Sequence, residues 1–391
     1  MMSTIKVNKI ENTGTTDGGV EIDSSGHVKV DGLQIPTVGA LSNRNIIING
    51  AMQVNQRGTV TGITSSQYGA CDRWKTVNSS LGTWTASQVT SSPSGFSNAF
   101  RLDCTTAEPS PTANGYIIAM YHIEGQDVQH LNYGSSDAQA LTLSFYVRSN
   151  KTGAASFEIQ QRDNSDKQFI KSYTISAANT WEKKTITIPA DTAGLINNDN
   201  GEGLRLGWWL NSGSTYTGGS APSGWESETN ANRNANNLGV GGSTSDYFEI
   251  TGVQLEVGEK ATPFEHRSYG DELARCKRYF ELLTNDVAGT KLSRKLFGPG
   301  YFESSTQGVA YISFAEKRAA PTVTASGTGD FIMFHTGSSV ALTGLTFAQS
   351  SPTDVRADTT CSSGPYSDGD SCFLTSISGS TLSTISLDSE L

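Results

Sequence analysis

The chain has 391 residues, of which 36% are hydrophobic and only 17% charged, with 41 glycines. That length suggests two or three domains, and low charge with abundant turn formers fits an all-β architecture better than a helical bundle or a disordered chain. A formal net charge of −10 argues against non-specific nucleic-acid binding, which needs a basic face, and against polybasic attachment to a membrane.

No stretch approaches the roughly 20 apolar residues of a membrane span, so no membrane insertion is expected. The opening MMSTIKVNKIENTG has no apolar secretion-signal core. Residues 1–41 read as an N-terminal arm. Ile5 and Val7 alternate, as do Val20 with Ile22 and Val28 with Val30, between Gly-rich turns. Strands this short bury no core of their own, so they are expected to pair with other chains or dock on another protein. Within the arm, LQIPTVGAL reads as a linker broken by Pro36 and Gly39.

Residues 42–267 carry the clearest strand patterns. NIIING (45–50) is a short apolar run. Leu141, Leu143, Phe145 and Val147 alternate, as do Phe157 with Ile159, Ile186 with Ile188, and Leu204, Leu206 and Trp208. In YFEITGVQLEV the apolar phase changes from Phe248 and Ile250 to Val253 and Leu255. Gly252 stands at the change, which predicts a β-bulge. Short strands with turn-rich links predict an antiparallel jelly-roll sandwich.

Residues 268–283 read as a linking helix. Ser268 is placed to N-cap it, Asp271 and Glu272 suit its first turn, and Leu273, Cys276, Phe280 and Leu283 form one apolar stripe. Residues 284–391 return to strand patterns such as VAYISFAE, PTVTAS and DFIMFHT, enough for a C-terminal β-sandwich. Five cysteines (Cys71, Cys104, Cys276, Cys361 and Cys372) make no disulfide framework or zinc spacing, although Cys361 and Cys372 could bridge a loop on oxidation.

NRNIIINGAMQVNQRG (43–58) with DRW (72–74), QHLNYGSSDAQALTLSFYVRSNKTG (129–153), NTWEKKTITIPADTAG (179–194) and ITGVQLEVGEKATPFEHRSYGDELARCKRYFE (250–281) occur in this order. Together with KRAAPTVT (317–324) and the terminal LDSEL (387–391), they resemble a bacteriophage tail-fibre or receptor-binding family. The resemblance covers about residues 43–391, and 250–281 is its most specific segment. The first 40 residues resemble a virion-attachment segment of marine phage fibres.

The resemblance implies a homotrimeric structural protein of the virion tail, made in the host cytoplasm. It would attach to adaptor or nozzle proteins of the tail through its N-terminal arm, with Ile5, Val7 and Ile10 as contacts, and adsorb to host cell-surface polysaccharide. The sandwich is similar to carbohydrate-binding jelly rolls. No catalytic motif, cofactor or metal transfers with the resemblance. The 195–245 loop is this chain's own, so no sugar specificity transfers. The stripe Leu273, Cys276, Phe280 and Leu283 would pack near the threefold axis or against its own sandwich, making 250–281 a joint rather than a binding centre.

Sugar rings stack on aromatic faces while amides and carboxylates meet their hydroxyls. Trp209, Tyr216 and Trp225, near Asn211, Asn230, Asn232 and Asn234, are candidates on this ground, as are Phe334, His335 and Tyr366 in the C-terminal region. The plainer alternative is that the tryptophans are core or loop braces and that the C-terminal residues lie in solvated turns. Asp368 and Asp370, and NNDNGEG (197–203), have only part of a calcium-loop register. Glu124, Asp127, Glu249 and Glu265 are carboxylates with no pairing readable from sequence. The five histidines are scattered, and no nucleophile elbow, phosphate loop or HExxH motif occurs. The expectation is therefore a binding protein and not an enzyme. A purely structural tail or capsid decoration without a host ligand, or a glycan depolymerase, are the alternatives.

Overall fold

The computed structural model describes residues 9–11, 19–22, 28–30, 33–34, 42–163, 166–287, 289–362, 364, 366–377 and 381–391. Strands dominate, and contacts divide the chain into two compact units between Arg267 and Ser268.

Near the N-terminus, β1 (Lys9–Glu11), β2 (Gly19–Ile22), β3 (Val28–Val30) and β4 (Leu33–Gln34) form an antiparallel meander in that order. Val20 pairs with both Ile10 and Val30 across the ladder. Ile10 is 62% exposed, as expected of strands too short to enclose a core. Ile5 and Val7 lie outside the described residues.

The rest of the first unit is an antiparallel jelly-roll-type sandwich. Its strands are β5 (Val60–Ile63), β6 (Gln67–Tyr68), β7 (Trp74–Ser79), β8 (Thr83–Val89), β9 (Ala99–Thr106), β10 (Tyr116–Glu124), β11 (Leu141–Ser149), β12 (Gly153–Gln161), β13 (Lys167–Ile175), β14 (Glu182–Ile188), β15 (Glu202–Ser212), β16 (Glu226–Ser227) and β17 (Tyr247–Val257). A seven-stranded sheet runs β16-β13-β12-β15-β10-β7-β6, and a six-stranded sheet runs β14-β11-β17-β9-β8-β5. The period-2 pattern read from the sequence fills the space between them. Leu141, Leu143, Phe145 and Val147 are fully buried. Trp208 lies at the centre, with ring centroids 5.2 Å from Phe157, 5.4 Å from Trp74 and 5.7 Å from Phe145.

The apolar run at 45–50 is not a strand. Its two asparagines capture the backbone groups a ladder would use. Asn45 Oδ1 accepts from the amides of Ile47 (3.0 Å) and Leu255 (3.1 Å), and Asn49, at φ 58°, accepts from Val54 N at 2.9 Å. The bulge is where the change of phase put it. Pairing between β11 and β17 slips between Ser144 and Tyr146, and Gly252 has φ 59°.

In the second unit, helix α1 is Tyr269–Lys277, with the Ser268 hydroxyl accepting from Asp271 N at 3.2 Å. It is shorter than the expected 268–283. Phe280 and Leu283 belong instead to β18 (Phe280–Thr284), because these residues pair with the distant β28 (Thr384–Asp388): Phe280 opposite Asp388 and Leu283 opposite Ile385. The four-residue stripe is therefore split. Leu273, half-buried, and Cys276, buried, stay on the helix. Phe280, also buried, and Leu283 are strand residues, and Leu283 packs against the core of this unit.

A small hairpin, β19 (Asp286–Val287) with β20 (Thr290–Lys291), follows, and then β21 (Leu296–Phe302), β22 (Gln307–Ser313), β23 (Thr322–Ala325), β24 (Phe331–His335), β25 (Ser338–Ala348), β26 (Asp354–Cys361) and β27 (Ser371–Ser376). Where a sandwich was expected, β21-β22-β26-β25-β24-β27 close into a barrel, beside a three-stranded sheet β18-β28-β23. Closure occurs because β21 pairs on one side with β22 and on the other with β27, which also pairs with β24. No edge is then left open in the barrel. Phe302, Ile312, Phe331, Met333, Val355 and Leu374 fill its interior. Cys361 and Cys372 are buried and free, and burial pushes the Cys372 thiol up to about 12.

Candidate functional site: an aromatic cleft on the six-stranded sheet

With Phe145 and Val147 in the core, Ser144 and Tyr146 must face outward from β11. Tyr146 sits opposite Thr251 of β17 and, on its other side, opposite Lys183 of β14. Two segments from elsewhere in the chain bring further rings up to Tyr146.

One is the turn before β9. Phe96 N donates to Pro93 O at 3.1 Å, and Ser92 Oγ donates to Phe96 O at 2.6 Å, which holds the phenyl ring over the bulge. Gly252 is required beneath it. A Cβ there would stand 2.6 Å from Phe96 Cζ and 3.0 Å from Tyr146 Cδ2.

The other is the segment after β17, which returns over the sheet. Glu256 accepts from Thr262 N at 2.9 Å and from the Thr262 hydroxyl at 2.6 Å. Gln254 Oε1 accepts from Glu265 N at 2.7 Å, and Glu265 Oε2 accepts from Asn45 N at 3.0 Å. Arg267 donates to the carbonyls of Asn45 and Ile47. Pinned in this way, residues 262–267 aim Phe264 and His266 at Phe96.

The result is a cleft of about 520 Å³ lined by Ser94, Phe96, Ser144, Tyr146, Lys183, Gly252, Thr262, Phe264 and His266, among others. Phe96 is the hub of its rings, with centroids 5.0 Å from Phe264, 5.3 Å from His266 and 5.5 Å from Tyr146. Phe264 and His266 are 4.8 Å apart and meet edge to face. The size and the mixture of rings with a few polar groups are those of a small-molecule site. Lys183, the Tyr146 hydroxyl and the ring nitrogens of His266 make no hydrogen bond to any described residue.

The acids around the cleft are engaged elsewhere. Glu265 is held below its ordinary value: burial opposes this, but the amides of Asn45 and Arg44 outweigh it. On the same sheet, fully buried Glu249 bridges Arg148 (2.5 Å) and Arg101 (2.7 Å). The hydrogen bond to Asp103 is the largest cause holding the Arg101 guanidinium above its ordinary value.

The residues singled out from sequence lie elsewhere. Trp209 projects from the opposite sheet and is 1% exposed. Its Nε1 donates to Glu158 at 2.9 Å, Tyr216 lies 5.2 Å away, and the Arg233 guanidinium covers its ring at 5.1 Å. Trp209 and Tyr216 are thus together, but Trp225 is apart from them. Its ring lies 5.9 Å from Tyr133 and 6.2 Å from Phe169, and its Nε1 donates to Pro189 O at 2.7 Å.

In the second unit, Tyr366 is 7% exposed and stacks on Phe302 at 4.2 Å, with His335 5.7 Å away. Phe334 instead lies under Arg294 at 4.7 Å. Glu124 accepts from Gln126 Nε2 at 2.7 Å. Asp370 accepts from Ser367 N at 2.8 Å. Among the described residues, no three His, Cys, Asp or Glu side chains gather as a metal set.

Sequence reasoning passed over Phe96 and Lys183, and it read 250–281 as a joint rather than a binding centre, whereas Gly252, Phe264 and His266 of that stretch line the cleft. One signal was available: Tyr146 is an aromatic residue out of phase with the buried positions of its strand.

No protein-family model matches the chain, and no curated protein matches it in sequence. Several solved structures are similar at low scores. The tailspike protein 4 enzymatically active domain of bacteriophage CBA120 is 13% identical, with a TM-score of 0.31 over 55% of this chain, which spans only 21% of that one. A CBM4 structure is 12% identical, with a TM-score of 0.29 over 54% of this chain and 98% of its own. The family 11 carbohydrate-binding module of Lic26A-Cel5E from Clostridium thermocellum is 14% identical, with a TM-score of 0.27 over 51% and 98%. At these scores none of them bears on what this chain does.

Proposed function

We propose that this chain is a glycan-binding structural protein of a phage tail, a fibre that adsorbs to host cell-surface polysaccharide through the cleft on its six-stranded sheet. The observation that carries the reading is the ring cluster of Phe96, Tyr146, Phe264 and His266 around a 520 Å³ cleft. Aromatic faces meet the C–H patches of a pyranose, and the unpartnered Tyr146 hydroxyl, Lys183 and His266 meet its oxygens. The tail assignment draws on the sequence resemblance across residues 43–391. In that setting the N-terminal arm attaches to the tail, and a homotrimer turns weak single-site affinity into avidity.

The reading is one of binding without turnover. Glycosidase chemistry needs two carboxyl groups flanking the bond, and the described lining of the cleft includes neither Asp nor Glu. The test is competition. Purified protein is added to host cells before phage, and its retention on host polysaccharide is measured alongside polymer length. We expect adsorption to fall and polymer length to stay constant, with Phe96→Ala and Phe264→Ala each ineffective as competitors. No retention and no competition would sink the receptor reading in favour of a purely structural component. Shortened polymer would point to a depolymerase.

A further inference from the structure

The lining of the cleft is one-sided in its charge. Its side-chain polar groups are those of Ser94, Ser144, Tyr146, Thr262, Lys183 and His266, and among the described lining residues there is no Asp, Glu, Asn or Gln. A site built for a neutral sugar needs acceptors for the hydroxyl protons, which carboxylates and amides commonly supply. Here the neighbouring acceptors are consumed by the fold. Glu256 is taken by Thr262, and Glu265 by the Asn45 amide. Glu182, one residue from Lys183, is taken by Lys184 at 2.6 Å and by the amides of Ser176 and Ala177 at 2.8 Å. What remains for a ligand is a set of hydroxyls and one imidazole, which can donate or accept, and a single cationic side chain with no anion to balance it, Lys183, directly across the ladder from Tyr146.

We infer that the cleft takes an acidic pyranose, a uronate, with its carboxylate on Lys183 and its ring face against Phe96 and Tyr146. This rests on the glycan reading above and adds the class of sugar. The net charge of −10 works against any polyanion at long range. Beyond a Debye length of about 8 Å that repulsion is screened at physiological salt, while contact with Lys183 is not. Selectivity for the acid therefore comes from the contact itself.

The experiment compares each acidic polymer with its own neutral form. Polygalacturonate, alginate and glucuronoxylan are each tested as such and after reduction of the carboxyl groups to primary alcohols, by calorimetry on the full chain. Wild type is measured beside Lys183→Ala, Lys183→Arg and the control Lys171→Ala on the opposite sheet. We expect an acidic polymer to bind and its reduced form to bind about tenfold more weakly, the usual scale of a charge-assisted hydrogen bond. Lys183→Ala should erase that difference, while Lys183→Arg and Lys171→Ala keep it. Equal binding of both forms, or a preference for the reduced one, overturns the acidic assignment and leaves the glycan reading standing. Absence of binding to any of these polymers in either form overturns the acidic assignment, while retention on host polysaccharide decides the glycan reading separately.

Discussion

Replacing Gly252 by alanine separates backbone strain from ring placement. Gly252 has φ 59°, where an L-residue costs about 1–2 kcal/mol. Its new Cβ would lie 2.6 Å from Phe96 Cζ and 3.0 Å from Tyr146 Cδ2, so the phenyl ring must leave its place. Gly62 is the matched control, with φ 71° and open space around a Cβ. Both variants should lose the backbone term, and Gly252→Ala should lose about 1 kcal/mol more for the displaced ring pairs. In a domain of this size each kcal/mol moves the melting temperature by about 2–4 °C. Differential scanning calorimetry should therefore rank the melting temperatures wild type, Gly62→Ala, Gly252→Ala from high to low. Glycan affinity should fall roughly threefold to tenfold for Gly252→Ala alone, the worth of one aromatic contact. If the two variants melt together and bind alike, Phe96 is not held by the bulge and the account of the cleft is wrong.

Acid should loosen the wall of the cleft. The folded-state value of Glu265 lies below its ordinary 4.5, so its contribution is present above pH 4.5 and lost as pH falls through the depressed value. Hydrogen exchange at the Asn45 amide should accelerate across that window relative to other amides, and an unchanged protection ratio would contradict the assignment. Phe280→Asp should unfold the second unit, since it buries an unpaired charge at a 5%-exposed strand position opposite Asp388. Retention of the wild-type melt in calorimetry would refute the placement of β18. Trp208→Ala should cost about 3–5 kcal/mol by leaving a cavity among Trp74, Phe145 and Phe157, read from the denaturant midpoint.

Much of the sandwich was legible because its cause is local. A strand with one buried face writes that face into every second residue, as at Leu141 to Val147 and at Leu204 to Trp208. The bulge at Gly252 was legible for the same reason, since one extra residue must reverse the phase. So was the start of α1, where the Ser268 hydroxyl and the Asp271 amide are only three residues apart.

The tertiary structure decided what depends on partners far along the chain. The helical spacing from Leu273 to Leu283 is real, but residues 280–284 find a ladder in residues 384–388, a hundred positions away, and the helix stops at Lys277. The barrel closes because β21 meets β27 as well as β22, a choice no local pattern encodes. Trp209 had the composition of a sugar platform, and it is covered by Tyr216 and Arg233, which arrive on a loop. The cleft itself joins Phe96, Tyr146, Lys183, Gly252, Phe264 and His266 from five separate stretches. Alternation along a strand decides which face a residue takes, but only the packing of the chain decides which residues share that face.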